Sequence, residues 1–253
     1  SLTLYDVVLN SLDYCSQFGA VTIAAGDTIV VANDLTLTSG ILYGVWEVQG
    51  DYTVGSGADG GTATLSFTGG NNQVYTEQGG NEPDGDITIN KSGGTVTLAS
   101  NADWNAGSQD LTITAGTLFA PDKNISTTAL TVGASGVLSL MGSQTLTLGG
   151  TLANSGTVKI WGSGVCGGGD NALIRSSSTG VQRSWTGAGV FTLYDIDVRD
   201  MAGSATITLY SSANTANNGA NWTFSGGACP GVPKALGLPS GKFDLQSGKL
   251  NLR

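Results

Sequence analysis

Three aspartates in the second half of the chain have a spacing that could support acid–base chemistry. Asp195, Asp197 and Asp200 lie on or just after a strand-like alternation, with Arg199 beside the last of them. Carboxylates two residues apart on a strand share one face, so they could divide acid and base roles in polysaccharide cleavage, while the guanidinium neutralises a uronate. Aspartates on a solvent-facing strand are also common, and no further catalytic motif accompanies these. The sequence therefore favours a protein that is not an enzyme, with a carboxylate-dependent polysaccharide lyase or hydrolase as the alternative.

The densest acidic stretch of the chain could supply oxygen ligands for a metal ion. Glu82, Asp84 and Asp86 alternate around Pro83 and Gly85, and carboxylate oxygens are ligands that Ca²⁺ prefers. The spacing matches neither the EF-hand loop nor the nonapeptide repeat of calcium-binding solenoids. We therefore favour a solvated turn, keep calcium as a weak alternative, and predict no other cofactor.

Five tryptophans are spread along the chain, and each could pack in a core or stack on a sugar ring. They are Trp46, Trp104, Trp161, Trp185 and Trp222. Several lie within strand-like segments, where inward and outward positions alternate from residue to residue. Packing in the core or at a coil end is the favoured interpretation, and an aromatic surface that faces carbohydrate is the alternative.

The absence of histidine and the small number of cysteines exclude several kinds of site. Without histidine the chain lacks the usual base near neutral pH and the commonest metal ligand. Cys15, Cys166 and Cys229 form no CxxC pair, so neither a metal site nor a Cys/His nucleophile is expected. They are candidates for a disulfide, either Cys166–Cys229 within the chain or Cys15–Cys229 across a junction between two copies.

The net charge of −9 is unevenly distributed along the chain. Residues 1–120 carry 13 acidic residues and one basic residue, Lys91, whereas residues 121–253 carry 6 acidic and 9 basic residues. Opposite charge in the two halves would favour head-to-tail association of copies. The chain has neither a dense Lys/Arg patch interleaved with aromatics nor an apolar run of about 18 residues, so we predict no nucleic-acid partner and no membrane span.

The elements that would position these residues are short strands. From Val21 onward, apolar and hydroxyl residues alternate in short segments bounded by Gly, Asn, Ser or Asp, and this period of two is typical of strands. Similar phrases recur, such as LTLTSG at 35–40 and LTITAG at 111–116. Self-similarity with frequent turns predicts an all-β fold, a parallel β-solenoid over residues 20–228, with roughly 20 to 25 residues per coil and about nine or ten coils.

The first 19 residues have a different pattern. Leu2, Tyr5, Leu9 and Leu12 recur at spacings of three and four, and Thr3 could serve as an N-cap. This spacing predicts a short helix over residues 1–19 that covers the end of the solenoid.

The chain ends in a segment that would leave the solenoid. Prolines 230, 233 and 239 break any regular stack, so residues 229–253 are predicted to form an extended linker followed by a strand. Apolar residues alternate with polar ones in that strand, which is basic overall and could pair with a neighbouring copy by strand addition. The residues predicted to support this assembly are Lys242, Phe243, Leu245, Lys249, Leu250, Leu252 and Arg253.

The phrases of residues 45–100, which include VWEVQGDYTVGSGADGGTATLSF and DGDITINKSGGTVTLAS, and NWTF at 221–224 carry a resemblance to a known group. They resemble the Gly/Thr-rich parallel β-helix segments of secreted bacterial surface proteins, namely filamentous-haemagglutinin-like adhesins and autotransporter passenger domains. The resemblance covers roughly residues 20–225. It implies a right-handed parallel β-helix, extracellular display, and structural or adhesive work.

Two functions follow from these observations. We expect first a structural subunit of an extracellular filament or sheath, secreted after removal of a signal peptide, whose partners are copies of itself joined head to tail by the C-terminal strand. The alternative is a cell-surface adhesin or a β-helix protein that binds or degrades carbohydrate, with surface glycans as partners.

Overall fold

The computed structural model describes residues 1–10, 19–163 and 172–225 as a continuous stack of short strands. Within these residues there are 25 strands and no helix, and the strands pair in parallel. The stack makes a β-solenoid of about nine turns. The predicted all-β parallel solenoid is therefore confirmed, whereas its right-handedness stays a prediction.

The strands are numbered in chain order. They are β1 (Leu2–Leu4), β2 (Val7–Asn10), β3 (Ala20–Val21), β4 (Thr28–Val31), β5 (Leu35–Leu42), β6 (Val45–Val48), β7 (Tyr52–Gly61), β8 (Thr64–Phe67), β9 (Gln73–Glu77), β10 (Ile87–Leu98), β11 (Ala102–Trp104), β12 (Leu111–Pro121), β13 (Ile125–Thr127), β14 (Leu130–Met141), β15 (Thr145–Leu148), β16 (Leu152–Asn154), β17 (Thr157–Trp161), β18 (Ala172–Ser176), β19 (Arg183–Thr186), β20 (Val190–Tyr194), β21 (Ile196–Arg199), β22 (Met201–Gly203), β23 (Ile207–Tyr210), β24 (Ala213–Ala216) and β25 (Trp222–Ser225).

The strands stack in three columns. The first column contains β1, β4, β6, β8, the first halves of β10, β12 and β14, and then β16, β19 and β22. The second contains β2, β5, β7, β9, the second halves of the same three long strands, and then β17, β20, β23 and β25. Because the long strands run through both columns, these form one sheet, which has 19 strands with β3, the partner of the end of β5. The third column is a separate 6-stranded sheet of β11, β13, β15, β18, β21 and β24.

The bend between the first two columns requires glycine. Gly116, in the middle of β12, has φ of 84°, a left-handed conformation that costs other residues free energy. A Cβ atom there would lie only 2.8 Å from the Cβ atom of Lys91 on the preceding turn. The recurring Ser-Gly and Ala-Gly pairs in the sequence are thus the points at which a coil changes direction.

The core is built from the inward residue of each alternating pair. A representative ladder across successive turns contains Leu65, Ile87, Leu111, Leu130 and Leu152, which are all buried. Burying such a side chain stabilises the fold by roughly 1.5 to 3 kcal/mol, and each turn adds several. The hydroxyl residues of the same strands point outward, as the period of two predicts.

The predicted helix at the N-terminus is wrong. β1 pairs with β4 and β2 pairs with β5, so the described part of residues 1–19 begins the solenoid instead of covering it. Val7 is buried while Val8 is exposed, which is strand alternation. The neighbouring strands supply backbone hydrogen bonds along their whole length, and this outweighs the helical spacing of a few leucines. Residues 11–18 lie outside the described part of the chain.

Turn length varies more than the sequence predicts. Ile29 pairs with Trp46 on the next turn, and Leu152 pairs with Trp185 on the next turn, so the second of these turns contains almost twice as many residues as the first. Insertions enter at the corners, where a longer loop leaves strand register intact.

Among the described residues, no helix is long and apolar enough to cross a membrane.

Candidate functional site

A ladder of large outward side chains runs along one edge of the second column. Its members are Pro121, Met141, Trp161, Tyr194 and Tyr210, and each pairs in register with the next. In every case the preceding residue of the strand is a buried apolar residue, so the ladder residue points away from the core. We call these five residues the aromatic ladder.

The centre of the aromatic ladder is a pair of nearly parallel aromatic rings. Trp161 and Tyr194 stack with ring centroids 6.2 Å apart and an interplanar angle of 20°. Tyr194 then meets Tyr210 edge to face, with centroids 5.8 Å apart and an angle of 60°. The Trp161 indole nitrogen is shielded from solvent and makes no hydrogen bond in the described part of the chain, so the ring exposes only carbon. Met141, 40% exposed, extends this apolar surface by one turn.

A groove of about 490 Å³ lies against the ladder. It is lined by Phe119, Pro121, Asp122, Met141, Gly142, Trp161, Gly162, Ser163, Tyr194 and Asp195. These residues belong to four successive turns, those of β12, β14, β17 and β20. Two of the described lining residues are acidic and none is basic, so the groove combines an apolar wall with carboxylates at its edge.

Two glycines beside the groove allow neighbouring turns to approach closely. A Cβ atom on Gly142 would overlap the Asp122 carboxylate, and one on Gly162 would overlap the Asp195 backbone carbonyl. Asp122 and Asp195 hold the corner with φ of 52° and 50°, values that aspartate tolerates better than most residues. The corner row that follows the ladder is therefore closely packed, and larger residues at these two positions would displace Asp122 or Asp195, which line the groove.

The predicted acid–base pair is not assembled. Ile196 and Val198 are buried and Asp197 points outward, as predicted, but Asp195 lies at the corner with positive φ and is buried. Asp197 instead forms an ion pair with Arg175 on the preceding turn, at 2.8 Å, and accepts a hydrogen bond from the Thr215 hydroxyl. The two carboxylates thus have different environments and do not share a face.

Asp200 stabilises a turn. Its carboxylate accepts hydrogen bonds from the Asn217 side-chain amide at 2.8 Å and the Gly180 backbone amide at 3.0 Å. Arg199 lies beside it, with its Nε atom 3.5 Å from Oδ2. The Asn217 hydrogen bond, followed by the Gly180 one, lowers the pKa of this carboxyl, because both favour the charged form. These contacts occupy the groups that a uronate or a reacting proton would need.

A second concavity, the acidic cavity, lies earlier in the chain, with a volume of about 330 Å³. Its lining includes the five carboxylates of Asp59, Glu77, Glu82, Asp84 and Asp103, together with Gly60, Gly61, Gly80, Asn81, Ala106 and Gln109. Glu82 and Asp84 are thus together, as the calcium hypothesis requires, but Asp86 is not among the lining residues. Its carboxylate accepts the Asp110 backbone amide at 3.0 Å. The described residues contain no group of three acidic, His or Cys side chains placed to hold a metal.

Glu82 is the most perturbed group of the acidic cavity. Burial raises the pKa of its carboxyl to about 7, and the like charges of Glu77 and Asp103 add to the shift. The Tyr75 hydroxyl and the Trp104 indole face this carboxyl and lower its pKa, although neither reaches good hydrogen-bond geometry within the described residues. The single basic residue of this half, Lys91, is buried and donates to the Thr68 carbonyl at 3.1 Å and to a glutamine side chain, so it does not neutralise the cavity.

The five tryptophans divide four to one. Trp46, Trp104, Trp185 and Trp222 are buried, which confirms core packing for these four. Trp161 is the exception and belongs to the aromatic ladder. Its neighbours Met141 and Tyr194 were not predicted from the sequence, although one signal was available. Each follows the last buried aliphatic residue of its strand, as Trp161 follows Ile160.

Two groups of predicted residues lie outside the described part of the chain. They are the three cysteines, Cys15, Cys166 and Cys229, and the assembly residues of the C-terminal segment 229–253. Their proposed roles stay predictions. No family model, curated protein or solved structure matches the chain, so its function has to be argued from its own surface.

Proposed function

We propose that this β-solenoid is a glycan-binding scaffold whose aromatic ladder and adjoining groove receive sugar rings. The observation that carries the proposal is the stacked pair Trp161–Tyr194, which presents apolar ring surface on the outside of the solenoid. Large aromatic side chains on a soluble domain are normally buried, so an in-register outward row points to a binding surface.

The chemistry of the groove suits a sugar. One face of a pyranose ring carries mostly C–H groups, which pack on aromatic rings, while its rim carries hydroxyl groups that need acceptors. Asp122 lines the same groove and is exposed, so its carboxylate, which also accepts the Ser143 backbone amide at 3.1 Å, can supply an oxygen as an acceptor. An apolar wall with a few polar groups is also the usual composition of small-molecule sites.

Binding to a glycan array by the full chain tests this proposal. We expect a defined subset of glycans to bind, and Tyr194→Ala to weaken that binding by about tenfold through loss of stacking area. Tyr5→Ala is the matched control, because Tyr5 is 71% exposed but lies on the first turn, away from the groove. Absence of any glycan binding, or equal binding by Tyr194→Ala, would contradict the proposal.

A second candidate is the filament or sheath subunit expected from the sequence. It is favoured by the first turn, where Leu2, Tyr5 and Val8 are 55%, 71% and 66% exposed. Within the described residues, β1 and β2 each pair with a strand on one side only, so their other edges offer backbone groups and apolar side chains to another chain. The acidic first half and the basic second half would orient copies head to tail. The resemblance to bacterial adhesins and passenger domains agrees with extracellular display for either function.

Electron microscopy of a truncated chain tests the second candidate. Removal of residues 233–253 should leave a folded monomer that no longer polymerises, because the donated strand is gone. Val8→Lys should also reduce assembly, whereas Val74→Lys on β9, in the middle of the stack, should not. If the truncated chain still forms filaments, strand donation is wrong.

A further inference from the structure

We propose that the groove takes a linear, extended and uncharged polysaccharide that lies along the solenoid axis, with successive sugar rings over successive turns. This inference rests on the proposed glycan binding and adds the shape, direction and charge of the ligand. Its basis is the register of the aromatic ladder together with the composition of the groove.

The direction of the ligand follows from the strand pairing. Pro121, Met141, Trp161, Tyr194 and Tyr210 occupy the same register position on five successive turns. Neighbouring parallel strands are about 4.8 Å apart, so the ladder extends for roughly 19 Å along the axis. A monosaccharide could cover only one or two of these side chains. A chain of several rings is needed to use the whole surface.

The shape of the ligand follows from the straightness of the ladder. Equatorially linked pyranoses form an extended ribbon that advances by about one ring length per unit, which is close to the spacing of the turns. An α-1,4-linked glucan coils, and its rings would leave a straight row of side chains after a short distance.

The charge of the ligand follows from the groove lining. Asp122 and Asp195 are its two acidic described residues, and no described lining residue is basic. Lys159, two residues before Trp161, pairs with Ser139 and Thr192 in the adjoining outward row and is not among the lining residues. Uronates and sulfated sugars would therefore be repelled, whereas neutral hydroxyl groups can donate to the carboxylates.

Titration calorimetry with defined saccharides tests this inference on the full chain. The probes are tri- and hexasaccharides of β-1,4-linked glucose, xylose, mannose and N-acetylglucosamine, with maltohexaose as the coiled control and polygalacturonate as the charged control. For at least one β-1,4-linked series, we expect the hexasaccharide to bind about tenfold more tightly than the trisaccharide, because it covers more turns. Both controls should bind more weakly.

The outcomes separate the inference from the function on which it rests. Equal affinity of tri- and hexasaccharides, or tighter binding of maltohexaose or polygalacturonate, would overturn the inference while leaving glycan binding in place. Failure of every saccharide to bind would overturn both.

Substitutions locate the ligand on the ladder. Trp161→Ala should reduce the affinity of the hexasaccharide to that of the trisaccharide, and Trp161→Phe should restore most of the difference because it keeps a flat ring. Val190→Ala is the control, since Val190 is 58% exposed on β20 but does not line the groove. Met141→Glu, at an exposed ladder position, gives a second test that spares the stacked pair. Retention of the length dependence in both Trp161→Ala and Met141→Glu would show that the ligand lies elsewhere.

Discussion

The acidic cavity and the groove occupy similar positions on one scaffold but have different linings. Carboxylates dominate the first, and apolar and aromatic side chains dominate the second. In the acidic cavity, the Glu82 carboxyl is buried against aromatic rings while four other carboxylates surround it. In the groove, Trp161 and Tyr194 are turned outward although their ring surface would be more stable inside. Both arrangements lie at strand ends, where one turn meets the next.

The comparison shows what the scaffold leaves adjustable. Most inward residues of the strands are apolar, because each ladder packs on itself turn after turn, and the few polar ones, such as Gln73 and Asn154, are buried with hydrogen-bond partners. The outward residue beside a corner does not have to pack in the core, so it can be acidic in the first half of the chain and aromatic in the second. The corners, not the strands, therefore carry the chemical differences along the solenoid.

The largest expected effect distinguishes a core tryptophan from the ladder tryptophan. Trp104 is fully buried beside Tyr75, with centroids 5.7 Å apart, and Trp104→Ala should lower the free energy of unfolding by about 3 to 5 kcal/mol. Trp161→Ala removes an outward ring and should cost about 1 kcal/mol. Chemical denaturation of both variants measures the difference. Equal losses would mean that Trp161 is a core residue and that the groove is not a surface feature.

The second prediction concerns the pH dependence that Glu82 imposes on stability. The unfolded chain loses this proton near the ordinary glutamate pKa of 4.5, whereas the folded chain holds it until about 7. Between these values the folded state binds more protons, so the free energy of unfolding falls as the pH rises, by roughly 3 kcal/mol in total. Stability from this group is complete below pH 4.5 and lost above pH 7.

Denaturation of the wild type and Glu82→Gln across this pH range isolates that contribution. The glutamine variant cannot ionise and should lack this part of the slope, whereas Glu47→Gln, on the outward face of β6, should keep it. An unchanged slope in Glu82→Gln would contradict the account of the acidic cavity.

The third prediction tests whether a corner next to the groove requires glycine for close packing. Gly142→Ala should destabilise the fold by about 1 to 3 kcal/mol, because φ is 106° and the new methyl group would overlap the Asp122 carboxylate. Gly26→Ala is the control, since Gly26 has φ of 89° but nothing within 4 Å of its Cβ position. Thermal unfolding should show a larger loss for Gly142→Ala, which should also bind glycan less tightly. The opposite order would rule out steric crowding at this corner.

The smallest expected effect is at the ion pair that replaces the predicted catalytic pair. The Arg175 and Asp197 side chains are 16% and 22% exposed, so solvent screens their interaction in part. Asp197→Asn should therefore lower the free energy of unfolding by less than about 1 kcal/mol and leave glycan binding unchanged. Thermal unfolding and calorimetry measure both effects. A large loss of glycan affinity would move the site away from the aromatic ladder.

The sequence predicted the scaffold well because the scaffold depends on local patterns. Apolar and hydroxyl alternation between Gly-rich corners was sufficient to predict a parallel β-solenoid. The N-terminal helix was wrong because Leu2, Tyr5 and Leu9 fit a helical spacing as well as a strand, and only the pairing of β1 with β4 decides between them.

The candidate site could not be predicted in the same way. Trp161 is paired with Tyr194 on the following turn and with Met141 on the preceding turn, and the chain between the paired residues is much longer in the first case than in the second. The ladder therefore depends on register across turns of unequal length, and an irregular repeat does not specify that register. The sequence also does not show which tryptophan is buried. Trp104 and Trp161 both lie in short alternating strands, and a shift of one residue decides whether a side chain faces the core or the outside.

The most direct test of the central claim is the response of the five tryptophan indole N–H signals in an NMR spectrum when a bound glycan is added. The signals of the four core tryptophans should change little on addition of glycan, because these side chains are buried away from the groove. The signal of Trp161, which lines the groove, is assigned by comparison with the Trp161→Phe variant. We predict that saturation with the tightest-binding hexasaccharide shifts the Trp161 signal and leaves the signals of Trp46, Trp104, Trp185 and Trp222 in place. An unmoved Trp161 signal at saturation would contradict the account, because the glycan would then bind away from the aromatic ladder.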